Sequence, residues 1–249
     1  MKKNAMLKIA AVVLVAVLLT TCAISTTFAK YVTPTVDKDY TEARVARWGI
    51  TITNTSDDQL FANKYGSDAS TIYVQGVGSD LVVAPGTTNE NAAAVSLTID
   101  GPEVAYKLTA TADFELDTVA NAWQVEGGSI YFPVKFTIGG SEVDLDGQNT
   151  LALKEAALEA AFLKALFGNG VTVVEDAGVS SVELNSTDVG YVAPTGGDVS
   201  VSWEWDFYTS DANDIKDTYL GNHNEANTIN FNYTVGAEQI GVDPSVGAQ

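Results

Sequence analysis

The residue types able to do chemistry are few in this chain, and their spacing points away from catalysis. His223 is the single histidine and sits in Gly221-Asn222-His223-Asn224, read as a polar loop. Catalytic zinc takes two or three histidines, and a serine triad needs a histidine base beside a nucleophile. No G-x-S-x-G elbow, phosphate-binding G-x-x-x-x-G-K-[ST] or dinucleotide G-x-G-x-x-G accompanies it. Paired carboxylates for glycoside hydrolysis must share a cleft, and abundance of acids is no sign of such a pair. The chain is therefore expected not to be an enzyme. Calcium is the one cofactor with any pattern behind it. Asp144, Asp146, Gln148 and Glu155 stand at positions one, three, five and twelve of an EF-hand-like loop. Asn149 occupies the sixth position, where glycine is expected, and Asp146-Gly147 reads equally as a plain turn. Asp211, Asn213, Asp214 and Asp217 form a second polar loop with the same two readings.

The elements that would carry these residues begin after a leader. Lys2, Lys3 and Lys8 precede an apolar run from Ile9 to Leu19, shorter than the roughly 20 residues of a membrane helix. Thr27 and Ala29 are the small residues of a cleavage site, so residues 1–29 read as a signal peptide cut between Ala29 and Lys30. The alternatives are lipidation at Cys22, which has Thr21 where Gly, Ala or Ser is usual, and an uncut signal anchor. Cys22 is the only cysteine, so the exported chain has neither disulfides nor thiolate ligands, and its stability must come from its core. The expectation is a protein secreted to the extracellular matrix or cell surface.

Loss of the leader leaves ten Lys and Arg against 32 Asp and Glu, a formal charge of −22. Such a surface repels phosphate backbones and anionic lipid, which disfavours nucleic acid as a partner and membrane contact after cleavage. Solubility is one use of the charge, and a surface that gathers divalent cations is another.

Apolar and polar residues alternate through the rest, the pattern of strands with one buried face. Residues 199–207 set Val199, Val201, Trp203, Trp205 and Phe207 against Ser200, Ser202, Glu204 and Asp206. Residues 229–235 and 130–138 repeat this, with Pro133 implying that the latter strand lies at an edge. Shorter alternations occupy 71–77, 81–84, 95–99, 104–110 and 171–174, separated by turn formers. One helix is expected over Leu151–Phe167, with Leu151, Leu158, Phe162 and Leu166 on one stripe and Gly168 to stop it. The fold class that follows is all-β, an antiparallel sandwich with one flanking α-helix, in a single domain over residues 43–249. Trp203, Trp205 and Phe207 are assigned to its core, and Tyr208 is left free.

Three stretches carry a resemblance. Lys30-Tyr31-Val32-Thr33 with Ala43 to Ile52, then Val83-Ala84-Pro85-Gly86-Thr87 with Val95 to Ile99 and Gly101 to Ala105, and finally Asp217 to Gly221 with Ile229 to Ile240 resemble the TasA and camelysin family of secreted Gram-positive proteins. Residues 115–200 carry no resemblance. The family implies a jelly-roll-like sandwich, export through a dedicated signal peptidase and, in the TasA branch, self-association into matrix fibres by donation of an N-terminal strand. The donor here is residues 30–42, with Tyr31, Val32 and Val36 as its polymerisation residues. That segment has too little apolar pattern for a core strand and suits an open sheet edge; a loose N-terminus is the plainer reading. A matrix or cell-wall partner protein is a further expectation. Camelysin's metalloprotease class does not carry over, because His223 stands alone and H-E-x-x-H is missing. The functional expectation is a fibre subunit, with a monomeric adhesin or binding module as the alternative.

Overall fold

The computed structural model describes residues 32–33, 48–54, 60–61, 82–116, 120–223 and 227–241. The leader, the cleavage pair Ala29 and Lys30, Tyr31, Val36 and the alternation at 71–77 lie outside them. Among the described residues ten strands form two antiparallel sheets: β1 Val32–Thr33, β2 Ile50–Asn54, β3 Thr88–Ile99, β4 Tyr106–Glu115, β5 Lys135–Ile138, β6 Ser141–Glu142, β7 Val174–Asp176, β8 Val179–Asn185, β9 Gly197–Glu204 and β10 Asn230–Gln239. The first sheet runs β1-β10-β4-β8-β7 and the second β2-β3-β9-β5-β6. Only the β2–β3, β5–β6 and β7–β8 connections stay within a sheet. Every other connection crosses the sandwich, which is the jelly-roll arrangement, with β2 and β7 added at its flanks.

Alternation along β4 is complete: Tyr106, Leu108, Ala110, Ala112 and Phe114 are buried while Lys107 to Asp113 between them are half-buried. Phe114 stacks on its ladder partner Phe231 of β10 with centroids 4.0 Å apart and, across the interior, meets Phe136 of β5 edge-on at 5.5 Å. The two sheets thus close on an aromatic layer.

Helix α1, Leu151–Phe167, has the expected bounds. Thr150 caps it through its hydroxyl, which accepts from Leu153 N at 3.2 Å, and Gly168 N donates to Lys164 O at 2.7 Å at its other end. Leu151, Leu158, Phe162, Leu163, Leu166 and Phe167 are buried, each stabilising by about 1.5–3 kcal/mol as an upper bound. The helix touches β4 and β8 of one sheet and β5 and β9 of the other; it closes the sandwich along one flank. Past Ala112, β8 no longer pairs with β4, and α1 takes over: Phe114 N donates to Glu159 Oε1 at 2.9 Å and Leu116 N to Glu155 Oε1 at 2.6 Å. Two acids one helical turn apart thereby satisfy backbone donors that the sheet leaves unmet.

Several expectations need correction. A second helix, α2 Asp211–Asn222, occupies what reads in the sequence as a polar loop. Residues 131–134 are not a strand; β5 begins at Lys135 and lies between β9 and β6 rather than at an edge, so Pro133 needs no ladder partner. Strand β9 stops at Glu204, and Phe207 is 75 % exposed while Trp203 and Trp205 are buried. Residues 82–84 and 171–173 are irregular.

Candidate functional site

The strands at and next to the sheet margins differ in length, and β1, at the margin beside β10, has two residues. β6 has two residues and β7 three, short enough to blunt edge pairing, and β2 has five. β10 has ten. Its inner side pairs with β4 along its whole length, Asn230 opposite Glu115 through Gln239 opposite Tyr106. Within that ladder the Thr111 and Thr234 hydroxyls meet at 2.7 Å, and Gly236 passes 3.1 Å, measured from the position a Cβ would occupy, from Thr109 Oγ1. Its outer side pairs only with β1, Val32 opposite Glu238 and Thr33 opposite Ala237. Among the described residues no strand covers Asn230 to Gly236 from outside.

Phe231, Tyr233, Val235 and Ala237 are buried and Asn230 and Asn232 exposed, with the buried Gly236 interrupting the alternation, so the strand is anchored on one face. At the end where β1 enters, Lys107 bridges Glu238 at 3.0 Å and Glu183 at 3.5 Å. Those carboxylates, the Glu238 hydrogen bond first, hold the ammonium pKa above its ordinary value. Of the three polymerisation residues from the sequence, only Val32 falls among the described positions, and its place is on this edge.

The calcium candidates are not brought together. Asp144 Oδ1 accepts from Asp146 N at 2.9 Å, a local turn, and Lys154 Nζ donates to Leu145 O at 2.8 Å, which puts an ammonium beside the loop. Burial lowers the pKa of that ammonium, with Asp146 opposing. Glu155 faces Leu116 instead. The second set lies on α2. Asp211 accepts from the Tyr208 hydroxyl at 2.7 Å, Asn213 N donates to the Ser210 cap at 3.2 Å, and Asp217 turns inward. Among the described residues no three His, Cys, Asp or Glu side chains gather as a metal site.

Asp217, read in the sequence as part of a polar loop, is instead buried against the sandwich. It is 8 % exposed and borders a cleft of about 260 Å³ lined also by Tyr131, Trp205, Asp206 and Asn213. Burial pushes its pKa up, and the neighbouring Tyr131 hydroxyl and Trp205 indole oppose that shift. The indole is aimed at the carboxylate without closing on it: Trp205 Nε1 and Asp217 Oδ1 have no partner at full bonding geometry. The carboxylate in turn raises the Tyr131 phenol, after burial as the larger cause. His223 caps the C-terminal end of α2, its backbone N–H donating to Leu220 O at 3.0 Å. No family model, curated protein or solved structure matches the chain.

Proposed function

We propose that this chain is an extracellular structural subunit of a biofilm-matrix or cell-surface fibre, in which the N-terminal segment of one copy adds as a strand along β10 of the next. The observation that carries this reading is the ten-residue β10, paired on its outer side over two residues alone among the described strands. Main-chain donors and acceptors along such an edge gain partners when a strand is added, and alternate side-chain positions give specificity. Length also fits. Extending the β1 register places residue 31 opposite Gln239 and residue 40 opposite Asn230, so residues 30–42 span the strand completely. The resemblance in residues 30–52 supports the same reading, as does the leader, which directs the chain to the matrix or cell surface.

Negative-stain microscopy of the secreted protein, with and without residues 30–42, tests it. Fibres from the complete chain and monomers from the shortened one are expected. Monomers from both, or fibres from both, overturn the reading.

A further inference from the structure

A second cleft, of about 640 Å³, opens between the 120–128 loop and the C-terminal end of α2. Its side-chain lining is Asn121, Gln124, Asn222, Asn227, Tyr219 and His223, with small residues between. No charged side chain lines it among the described residues, in a chain with 32 acids. Its volume falls in the range of about 300–1,000 Å³ typical of small-ligand sites.

Its walls are held in place. Tyr219 and His223 stack with centroids 4.2 Å apart and planes at 18°, and His223 Nδ1 lies 2.9 Å from Tyr219 O, which fixes the ring. Asn227 ties the loop to the helix end: its Oδ1 accepts from Trp123 N at 2.6 Å, and its Nδ2 donates to Leu220 O and His223 O at 3.4 and 3.5 Å. Asn121 and Trp123 hold left-handed backbone, φ 69° and 53°, a conformation costing non-glycine residues about 1–2 kcal/mol. Packing of the buried Trp123 against Phe132 and Trp205 offsets that cost. The side-chain amides of Asn121, Gln124 and Asn222 have no hydrogen-bond partner among the described residues.

We propose that this cleft binds neutral saccharide, uncharged hexose or N-acetylhexosamine units of a polysaccharide. A free carboxamide offers two donors and an acceptor, which matches the paired donor and acceptor character of adjacent sugar hydroxyls. A flat, immobilised aromatic pair packs against the C–H face of a pyranose. A uronate or phosphate finds no cation in the lining among the described residues, and the net negative charge of the chain repels it.

Isothermal titration of the secreted protein against neutral hexose and N-acetylhexosamine oligosaccharides, with oligouronates alongside, tests the proposal. Saturable binding of neutral sugars is expected, weakened about five- to tenfold by Gln124→Ala or by Asn222→Ala and unchanged by Tyr208→Ala. The side chains of Gln124 and Asn222 make no hydrogen bond among the described residues, so both variants should fold, which thermal melts verify. Absence of saturable binding to every neutral sugar, preference for oligouronates, or affinity indifferent to both substitutions overturns it.

Discussion

Glu159 on α1 accepts a 2.9 Å hydrogen bond from Phe114 N with one carboxylate oxygen and a 2.6 Å bond from the Ser180 hydroxyl with the other, while only 1 % exposed. A helix side chain thus joins β4 to β8 where the two strands part. Burial drives the Glu159 pKa upward, the two hydrogen bonds oppose it, and Asp113 and Glu175 add to it.

The sign of the resulting pH dependence follows from that direction. A folded pKa above the unfolded one means that the native state holds a proton which the unfolded chain releases, so the contribution is full below the unfolded value and is lost as pH rises through the folded one. Glu159→Gln keeps an acceptor for Phe114 and removes the buried charge. Its melting temperature should equal wild type at pH 4 and exceed it increasingly toward pH 7. Glu159→Ala leaves the Phe114 donor bare, costing about 1–3 kcal/mol in chemical denaturation; a pH-independent difference between Glu and Gln would refute the account.

Glycine positions separate strain from open space. Gly196 has φ 69°, and a Cβ there would collide with Leu97 O; Gly49 has φ 65° and would collide with Asp100 O. Gly140 has φ 78° with nothing nearby. Gly140→Ala should cost about 1–2 kcal/mol from backbone conformation alone, and Gly196→Ala more than that, since a backbone carbonyl must also move. Urea midpoints measured on both variants check the order.

The Tyr131 hydroxyl shares the cleft with Asp217 and favours its carboxylate against the effect of burial. Tyr131→Phe removes that hydroxyl without changing the ring, so Asp217 is left with even fewer partners, at a cost of about 1–3 kcal/mol. Adding Asp217→Asn to the Phe variant should recover part of the loss by removing the charge. A double-mutant cycle on thermal stability at pH 7 that shows no coupling would count against the pairing.

Much of this fold is legible because its period is regular. β4, the tryptophans of β9, the alternation of β10 and every buried residue of the expected α1 stripe follow from apolar spacing. α2 is hidden for a physical reason: of its twelve residues only Asp217 and Leu220 are buried, so it carries no apolar stripe. Its readable signals were local ones, the Ser210 cap and the acids Asp211 and Asp214 in the first turn. β8 escapes notice because one inward position is Ser180, a polar residue whose partner Glu159 lies 21 positions away. Phe207 misleads in the other direction, since alternation continues past the last ladder pair at Glu204. The saccharide cleft could not be read at all: its amides come from two segments about a hundred residues apart, joined only by folding.

Register decides how a donated strand must sit. In the two-residue pairing of β1, Val32 stands opposite Glu238, and the same register would carry Val36 to Thr234 and Tyr40 to Asn230. Those β10 positions alternate with the buried Tyr233, Val235 and Ala237, so Val32, Val36 and Tyr40 would share the solvent face. A shift of one residue turns Val32, Val36 and Tyr40 inward and Tyr31 outward. The intermolecular strand should therefore pair one residue out of step with β1, bringing Val36 opposite Val235 or Tyr233. With no cysteine beyond Cys22, engineered pairs read this directly. Val36→Cys mixed with Val235→Cys or Tyr233→Cys subunits should form intermolecular disulfides under mild oxidation, and Val36→Cys with Thr234→Cys should not. Efficient cross-linking through Thr234→Cys would mean that the donor keeps the β1 register, and that its polar residues, not Val32 and Val36, face the sandwich interior.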